Sequence, residues 1–195
     1  LVTGVTGFLG KVWLSELLHR TPQIGRVHLL IRPSSSTGAL ERFEAIAERS
    51  PALRPLREAH GSDYETFMRE RVSVVPGDIT QPMCGLNKTT LRKLARSVDA
   101  VVHFAGLTDF DPDPRLAMDI NVHGAEHLAD LSDELGAKLL HCSTTFVAGN
   151  VHGNVSEAFE AGLSPAGVRF DPAEEIRAAT EAMDAVDEGA KDPKS

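Results

Sequence analysis

Short apolar runs recur along the chain, and stretches with apolar residues at helical spacing separate them. The runs are Leu1–Thr3, Val27–Ile31, Val72–Val75, Ala100–Phe104 and Lys138–Cys142. A helix is predicted from about Phe8 to Arg20, ending before Pro22. Leu40, Phe43, Ile46 and Ala47 mark a second, stopped by Pro51. Further helices are expected over Asp63–Glu70, Thr89–Arg96 and Pro114–Leu135. Runs apolar on both faces that alternate with helices predict a parallel sheet covered on both sides.

Right-handed crossovers give that sheet the order 3-2-1-4-5, a doubly wound α/β fold of Rossmann type, with ligands at the C-terminal strand ends beside the switch point. The first strand runs into Gly4-Val5-Thr6-Gly7-Phe8-Leu9-Gly10, three glycines spaced G-x-x-G-x-x-G ahead of a helix. The first glycine allows a tight turn, the second a close approach to a pyrophosphate, the third close helix–strand packing. The free N–H groups of the helix then face an anion, so a dinucleotide is the expected ligand. The second strand ends in Arg32, about twenty residues on, where an acidic residue would take a ribose 2′-hydroxyl. Arg32, with Ser34, Ser35 and Ser36 behind it, suits a 2′-phosphate, which favours NADPH over NADH. A solvated strand-end arginine is the plainer alternative.

The 195 residues are 42% hydrophobic and 25% charged, enough for one soluble domain with a core. The net charge of −8 argues against nucleic acid. Two distant cysteines, Cys84 and Cys142 (the latter in an apolar run), fit a reduced, cytoplasmic chain. No run is long and apolar enough to span a membrane, which leaves room for peripheral membrane contact. The chain starts in mid-strand without an initiator Met, so residues before Leu1 are expected. The reading is a single domain over 1–195, with a helical insertion at 33–70 and, from 150, a loop and an acidic helix. Between 151 and 195 stand 10 acidic residues against 4 basic ones, and Ile176, Ala179, Met183 and Val186 mark one apolar stripe. Trp13 and Phe8 fit the packed face of the first helix, and His103 and His141 read as packed strand histidines. His123 and His127 stand four apart on a helix but lack the Glu of H-E-x-x-H, so no metal site is expected.

With these residues in view the chain resembles the extended short-chain dehydrogenase/reductases, and within them the fatty acyl-CoA reductase, or male-sterility, family. The resemblance lies in Thr3-Gly4-Val5-Thr6-Gly7-Phe8-Leu9-Gly10-Lys11, in Val27-His28-Leu29-Leu30-Ile31-Arg32-Pro33, and in Gly77-Asp78-Ile79 followed by Gly85-Leu86. It continues in Val102-His103-Phe104-Ala105-Gly106 with Asp109-Phe110-Asp111, in Asn121-Val122-His123-Gly124, and in Ser143-Thr144-Thr145-Phe146-Val147. It implies cofactor binding by Thr3, Gly4, Thr6, Gly7, Phe8, Leu9, Gly10, Arg32, Ser34, Asp78, Ile79, Ala105, Gly106, Asn121 and Ser143. Asp78 would accept the adenine amino group, with the Ile79 N–H nearby. Ala105 and Gly106 would line the ribose and nicotinamide, and Asn121 would brace the helix behind them. Thr144 would hydrogen-bond the substrate carbonyl. The plainer alternatives are a strand cap for Asp78, a backbone-satisfied polar residue for Asn121 and a strand-end hydroxyl for Thr144.

The resemblance implies NADPH-dependent hydride transfer to a fatty acyl-CoA thioester, giving aldehyde or alcohol. Such enzymes protonate the developing alkoxide with a Tyr that a Lys four residues later tunes. This pair is absent: the only tyrosine is Tyr64, four residues before Met68. The expectation is therefore the cofactor half of a larger reductase, a sheet cut before its last strands, and no turnover by these residues alone. A reductase releasing carrier-bound acyl chains, a sugar-nucleotide epimerase or dehydratase, and a non-catalytic dinucleotide-binding module stay open beside it. Arg32 and the Phe110-Asp111 pair count against the epimerase. Chain length of the acyl group and oligomeric state are not legible.

Overall fold

The computed structural model describes residues 1–158 and 160–190. The chain divides into two compact units, Leu1–Cys142 and Ser143–Ser195. In the first, five strands form one parallel sheet: β1 (Val2–Thr3), β2 (Val27–Ile31), β3 (Val72–Pro76), β4 (Ala100–His103) and β5 (Lys138–His141), ordered β3-β2-β1-β4-β5. The expected order is the observed one. Val2 lies beside both Leu29 and Val102, and Thr3 beside Leu30 and His103, so β1 sits at the centre of the switch.

Alternation along the strands builds two apolar layers. Val2, Leu29, Ile31 and Val102 face a layer with Leu14 and Leu18 of α1 (Phe8–Arg20), Phe43 of α2 (Ala39–Arg49), Leu56 of α3 (Arg54–His60) and Met68 of α4 (Tyr64–Arg71). Leu30, Val75 and Val101 face the other, with Leu91 and Leu94 of α5 (Lys88–Leu94) and Leu128, Leu131 and Leu135 of α7 (Gly124–Leu135). The helical insertion thus covers one face of the sheet. Its α3 was not expected. Pro51 stops α2 as expected, and Pro55 stands in the first turn of α3, where its missing N–H is not needed.

The predicted helix over Pro114–Leu135 is three consecutive segments: α6 (Pro114–Ala117), a π-helical stretch at Met118–His123, and α7. Four further expectations fail. Phe8, the first residue of α1, is 82% exposed because no preceding turn covers it, whereas Trp13 packs its ring 5.3 Å from that of Phe104. All of β5 is exposed, with Leu140 at 56%, whereas β3 at the other edge buries Val72 and Val75 under the helices that cover it. His141 is exposed with it, while His103 is buried. Cys142 falls one residue past β5 and is an exposed thiol. In the second unit a short 3₁₀ turn (Thr145–Ala148) precedes α8 (Pro172–Ala190). Asp171 caps α8 by accepting the Ala173 and Glu174 N–H groups at 2.8 and 3.3 Å. Ile176, Ala179 and Met183 are half-buried, but Val186 is 71% exposed and leaves the stripe.

Candidate functional site

The C-terminal ends of β1, β2, β3 and β4 open into a cavity of about 260 Å³. Of the residues singled out in the sequence, Thr3, Gly4, Thr6, Gly7, Arg32, Asp78, Ile79, Ala105 and Gly106 line it. Gly4 makes the turn at φ +75°, and its carbonyl accepts the Gly7 N–H at 3.0 Å. A Cβ on Gly4 would stand 2.5 Å from the Ala105 nitrogen and from the Phe104 carbonyl carbon. One on Gly10 would stand 2.4 Å from the Gly4 oxygen. Gly7 is different: its nearest conflict is 3.3 Å. Gly7 also precedes α1 without a side-chain cap, and the first turn holds no acidic residue. The leading N–H groups and the positive end of α1 are therefore free to meet an anion.

Phe8, Leu9 and Gly10 do not line the cavity; they form the first turn behind it, with Gly10 buried. Ser34 does not line it either. Its hydroxyl and backbone close a local turn with Thr37, the Thr37 N–H donating to Ser34 Oγ at 3.0 Å. Asn121, in the π-helical stretch, grips Leu107 twice: Oδ1 accepts the Leu107 N–H at 2.8 Å and Nδ2 donates to its carbonyl at 3.0 Å. Asn121 thereby holds the loop that follows Gly106 without lining the cavity. Ser143 and Thr144 belong to the second unit, where both are exposed and Thr144 Oγ1 accepts the Phe146 N–H at 3.3 Å.

Two polar side chains that line the cavity, Arg42 and Thr80, were not singled out by sequence. Arg42 of α2 donates its Nη1 to the Arg32 carbonyl, bringing a second guanidinium to the mouth of β2. Its position on the flank of the Leu40–Phe43–Ile46 pattern, ten residues after Arg32, was the available signal. Thr80 donates both its N–H (3.1 Å) and its hydroxyl (3.0 Å) to Asp78 Oδ1. The Asp78 N–H donates to the Cys84 carbonyl at 2.9 Å, and His127 Nδ1 donates to the Ile79 carbonyl at 2.8 Å. Cys84 lies in a left-handed turn, with φ +50° at Met83, +54° at Cys84 and +70° at Gly85. Two non-glycine residues there cost about 1–2 kcal/mol each, strain that the buried Cys84 and the Asp78 bond hold in place. Burial, with Asp78 adding to it, pushes the Cys84 thiol up to about 12, so it stays protonated and inert.

At the β1–β4 junction Thr3 Oγ1 accepts the Ala105 N–H at 3.4 Å and shares a 2.8 Å bond with His103 Nδ1. Burial, and then the His141 ring 4.8 Å away, push His103 down to about 4. An unfolded histidine titrates near 6.5, so the unfolded chain binds a proton between those values that the folded one refuses. Stability is complete above about pH 6.5 and falls as pH drops towards 4. We expect a loss of about 2 kcal/mol from this residue, discounted for the solvated His141 ring. Urea unfolding at pH 7 and pH 4.5 checks it; equal pH dependence in the protein and in His103→Gln would remove the assignment.

A doubly wound parallel sheet with a glycine turn, an uncapped helix N-terminus and a cavity at its switch point defines a Rossmann-type α/β domain. The male sterility protein family, an NAD-binding family, matches residues 2–192, and the chain belongs to it. "Fatty acyl-CoA reductase 2, chloroplastic" from Arabidopsis thaliana is 32% identical over 159 residues, 80% of this chain and 26% of that protein. The terminal R domain of the myxalamid PKS-NRPS pathway superposes with a TM-score of 0.63 at 26% identity, covering 92% of this chain and 43% of that one. The reductase domain of a Mycobacterium tuberculosis non-ribosomal peptide synthetase gives 0.60 at 29%, covering 77% and 34%. The chain spans 26% to 33% of the plant reductases it matches. Among the described residues no helix is long and apolar enough to cross a membrane, and no cluster of side chains suits a metal.

Proposed function

We propose that this chain is the cofactor-binding part of an NADPH-dependent reductase of fatty acyl-CoA thioesters. The observation that carries the reading is the cavity, where a side-chain-free Gly7 before an uncapped helix meets two guanidinium groups, Arg32 and Arg42. These residues suit a pyrophosphate at Gly7 and a 2′-phosphate between the arginines. Asp78 suits the adenine amino group, and the backbone of Ala105 and Gly106 the ribose and nicotinamide. When bound, NADPH would supply a hydride for the thioester carbonyl carbon.

The protein's part is positioning and charge. In this reading the Thr144 hydroxyl donates to the oxygen on which negative charge develops, and Asn121 keeps the Gly106–Leu107 loop in place. Tyr64, the only tyrosine, is buried and donates to the Ala47 carbonyl at 2.9 Å, so it supports α2 rather than protonating a substrate. No Tyr-x-x-x-Lys pair stands in these 195 residues, and in this reading we expect no acyl-CoA-dependent NADPH oxidation by them alone. Free Cys84 and Cys142 fit a reducing compartment, the cytoplasm in this reading.

The test is NADPH oxidation by the purified full-length protein with long-chain acyl-CoA. Thr144→Val is expected to lower kcat about 100-fold with NADPH affinity unchanged, and Thr144→Ser to restore it. An unchanged kcat would remove Thr144. The likeness to R domains favours a second reading, release of carrier-bound acyl chains. Activity with acyl-carrier and none with acyl-CoA would select that one. Tight NADPH binding with neither activity would select the non-catalytic module.

A further inference from the structure

Asp78 has two carboxylate oxygens, and the fold has already assigned one. Oδ1 accepts both hydrogen bonds from Thr80, at 3.1 and 3.0 Å. The backbone on either side is fixed as well, Asp78 N–H on the Cys84 carbonyl and the Ile79 carbonyl on His127. The carboxylate cannot rotate without breaking the Thr80 bonds. The remaining oxygen, Oδ2, stands 3.9 Å from Arg32 Nη1. Both residues line the one cavity. The only carboxylate oxygen left for a ligand's amino group is therefore the one that faces the cation at the end of β2.

We infer that Arg32 and Asp78 couple recognition of the 2′-phosphate to recognition of the adenine amino group, an inference that rests on the dinucleotide reading of this cavity. In this inference an adenine amino group that takes Oδ2 weakens its 3.9 Å charge pair with Arg32, and a 2′-phosphate that takes Arg32 weakens the same pair from the other side. A ligand with both groups breaks the pair once and fills both halves. A ligand with either alone breaks the pair and leaves one half unfilled. The two groups therefore bind cooperatively, and the pair excludes dinucleotides that carry only one. The cooperativity equals the strength of the Arg32–Asp78 pair. Arg32 is 59% and Asp78 30% exposed at the side chain, so the pair is screened by solvent. The expected factor is about 2- to 5-fold, the range of exposed pairs.

Four dinucleotides form the test: NADP+, NAD+ and their hypoxanthine counterparts, which replace the amino group by an oxygen. Dissociation constants are measured by titration calorimetry on the purified full-length protein. The preference for a 2′-phosphate is expected to be about 2- to 5-fold larger on adenine than on hypoxanthine. Arg32→Met is expected to weaken NADP+, to strengthen NAD+ about 2- to 5-fold by freeing Oδ2, and to abolish the coupling. A merely structural Arg32 would not strengthen any ligand. Equal 2′-phosphate preferences on the two bases, or weaker NAD+ binding by Arg32→Met, would overturn the coupling while leaving the dinucleotide site intact. Failure of all four to bind would overturn the site and the coupling with it.

Discussion

Gly10→Ala is expected to destabilise the protein by about 3 kcal/mol or more, lowering Tm by roughly 10 °C, whereas Gly7→Ala leaves stability nearly unchanged and lowers cofactor affinity. The two glycines sit three residues apart in one motif, and the difference comes from what surrounds them. A Gly10 methyl would meet the Gly4 oxygen at 2.4 Å and the Val5 Cα at 2.8 Å, all backbone of the turn that α1 packs against. Backbone cannot rotate aside as a side chain can, so β1 and α1 must part. Gly4→Ala belongs with Gly10→Ala: it adds a φ of +75°, about 1–2 kcal/mol for an L-residue, to contacts of 2.5 Å with β4's continuation. Gly7 has φ −83° and one contact of 3.3 Å, which a shift of a few tenths of an ångström relieves. A Gly7 methyl instead occupies the space where a pyrophosphate approaches the free N–H groups. NADPH affinity is expected to fall at least 10-fold, about 1.4 kcal/mol. Thermal unfolding paired with NADPH titration separates the classes. If Gly7→Ala lost Tm as Gly10→Ala does, or kept full affinity, the division between fold glycine and ligand glycine would be wrong.

The strand order was legible because every local signal agreed with it: apolar runs of strand length, helices between them, and one handedness of crossover. The convergence of Gly4, Arg32, Asp78 and Ala105 on one cavity follows from the same topology, since each ends a neighbouring strand. What sequence did not yield depends on tertiary position. Arg42 contributes because α2 lies beside the end of β2; the α2 pattern marks it as a flank residue, and only packing brings it to the cavity. The left-handed turn at Met83 and Cys84 is written in residues that rarely take that conformation, so only Gly85 hinted at it. His103 and His141 show the limit most clearly. They pair across β4 and β5 in the same register and read alike, yet His103 is buried in a strand with neighbours on both sides and His141 is exposed with the rest of β5. Ser34, two residues past Arg32, closes a turn with Thr37, a local bond that its place in the sequence did not announce.

Replacing Arg32 by Glu and Arg42 by Ala together is expected to lower NADPH affinity about 100-fold or more while NADH affinity stays within a few fold. Each guanidinium on a phosphate dianion contributes about 1.5–3 kcal/mol as a charge-assisted hydrogen bond, so two lost contacts exceed the 2.8 kcal/mol of a 100-fold change. The arginines are not equivalent. Arg32 is 59% exposed at the side chain and, among the described residues, paired with Asp78, so it is free to follow a ligand. Arg42 is half-buried and donates to the Arg32 carbonyl, so its remaining N–H groups are fixed relative to β2. Arg42→Ala alone should therefore reduce NADPH affinity without releasing Asp78, and Arg32→Glu should carry most of the reversal by placing an acid where a ribose 2′-hydroxyl is recognised. Salt supplies an independent check. The 2′-phosphate attraction is screened with a Debye length of about 10 Å at 0.1 M, so raising ionic strength should weaken NADPH more than NADH in the parent protein and equally in the double variant. If the double variant kept the parent's NADPH to NADH ratio at both ionic strengths, the two guanidinium groups would be bystanders, and the preference for a 2′-phosphate would have to arise elsewhere in the protein.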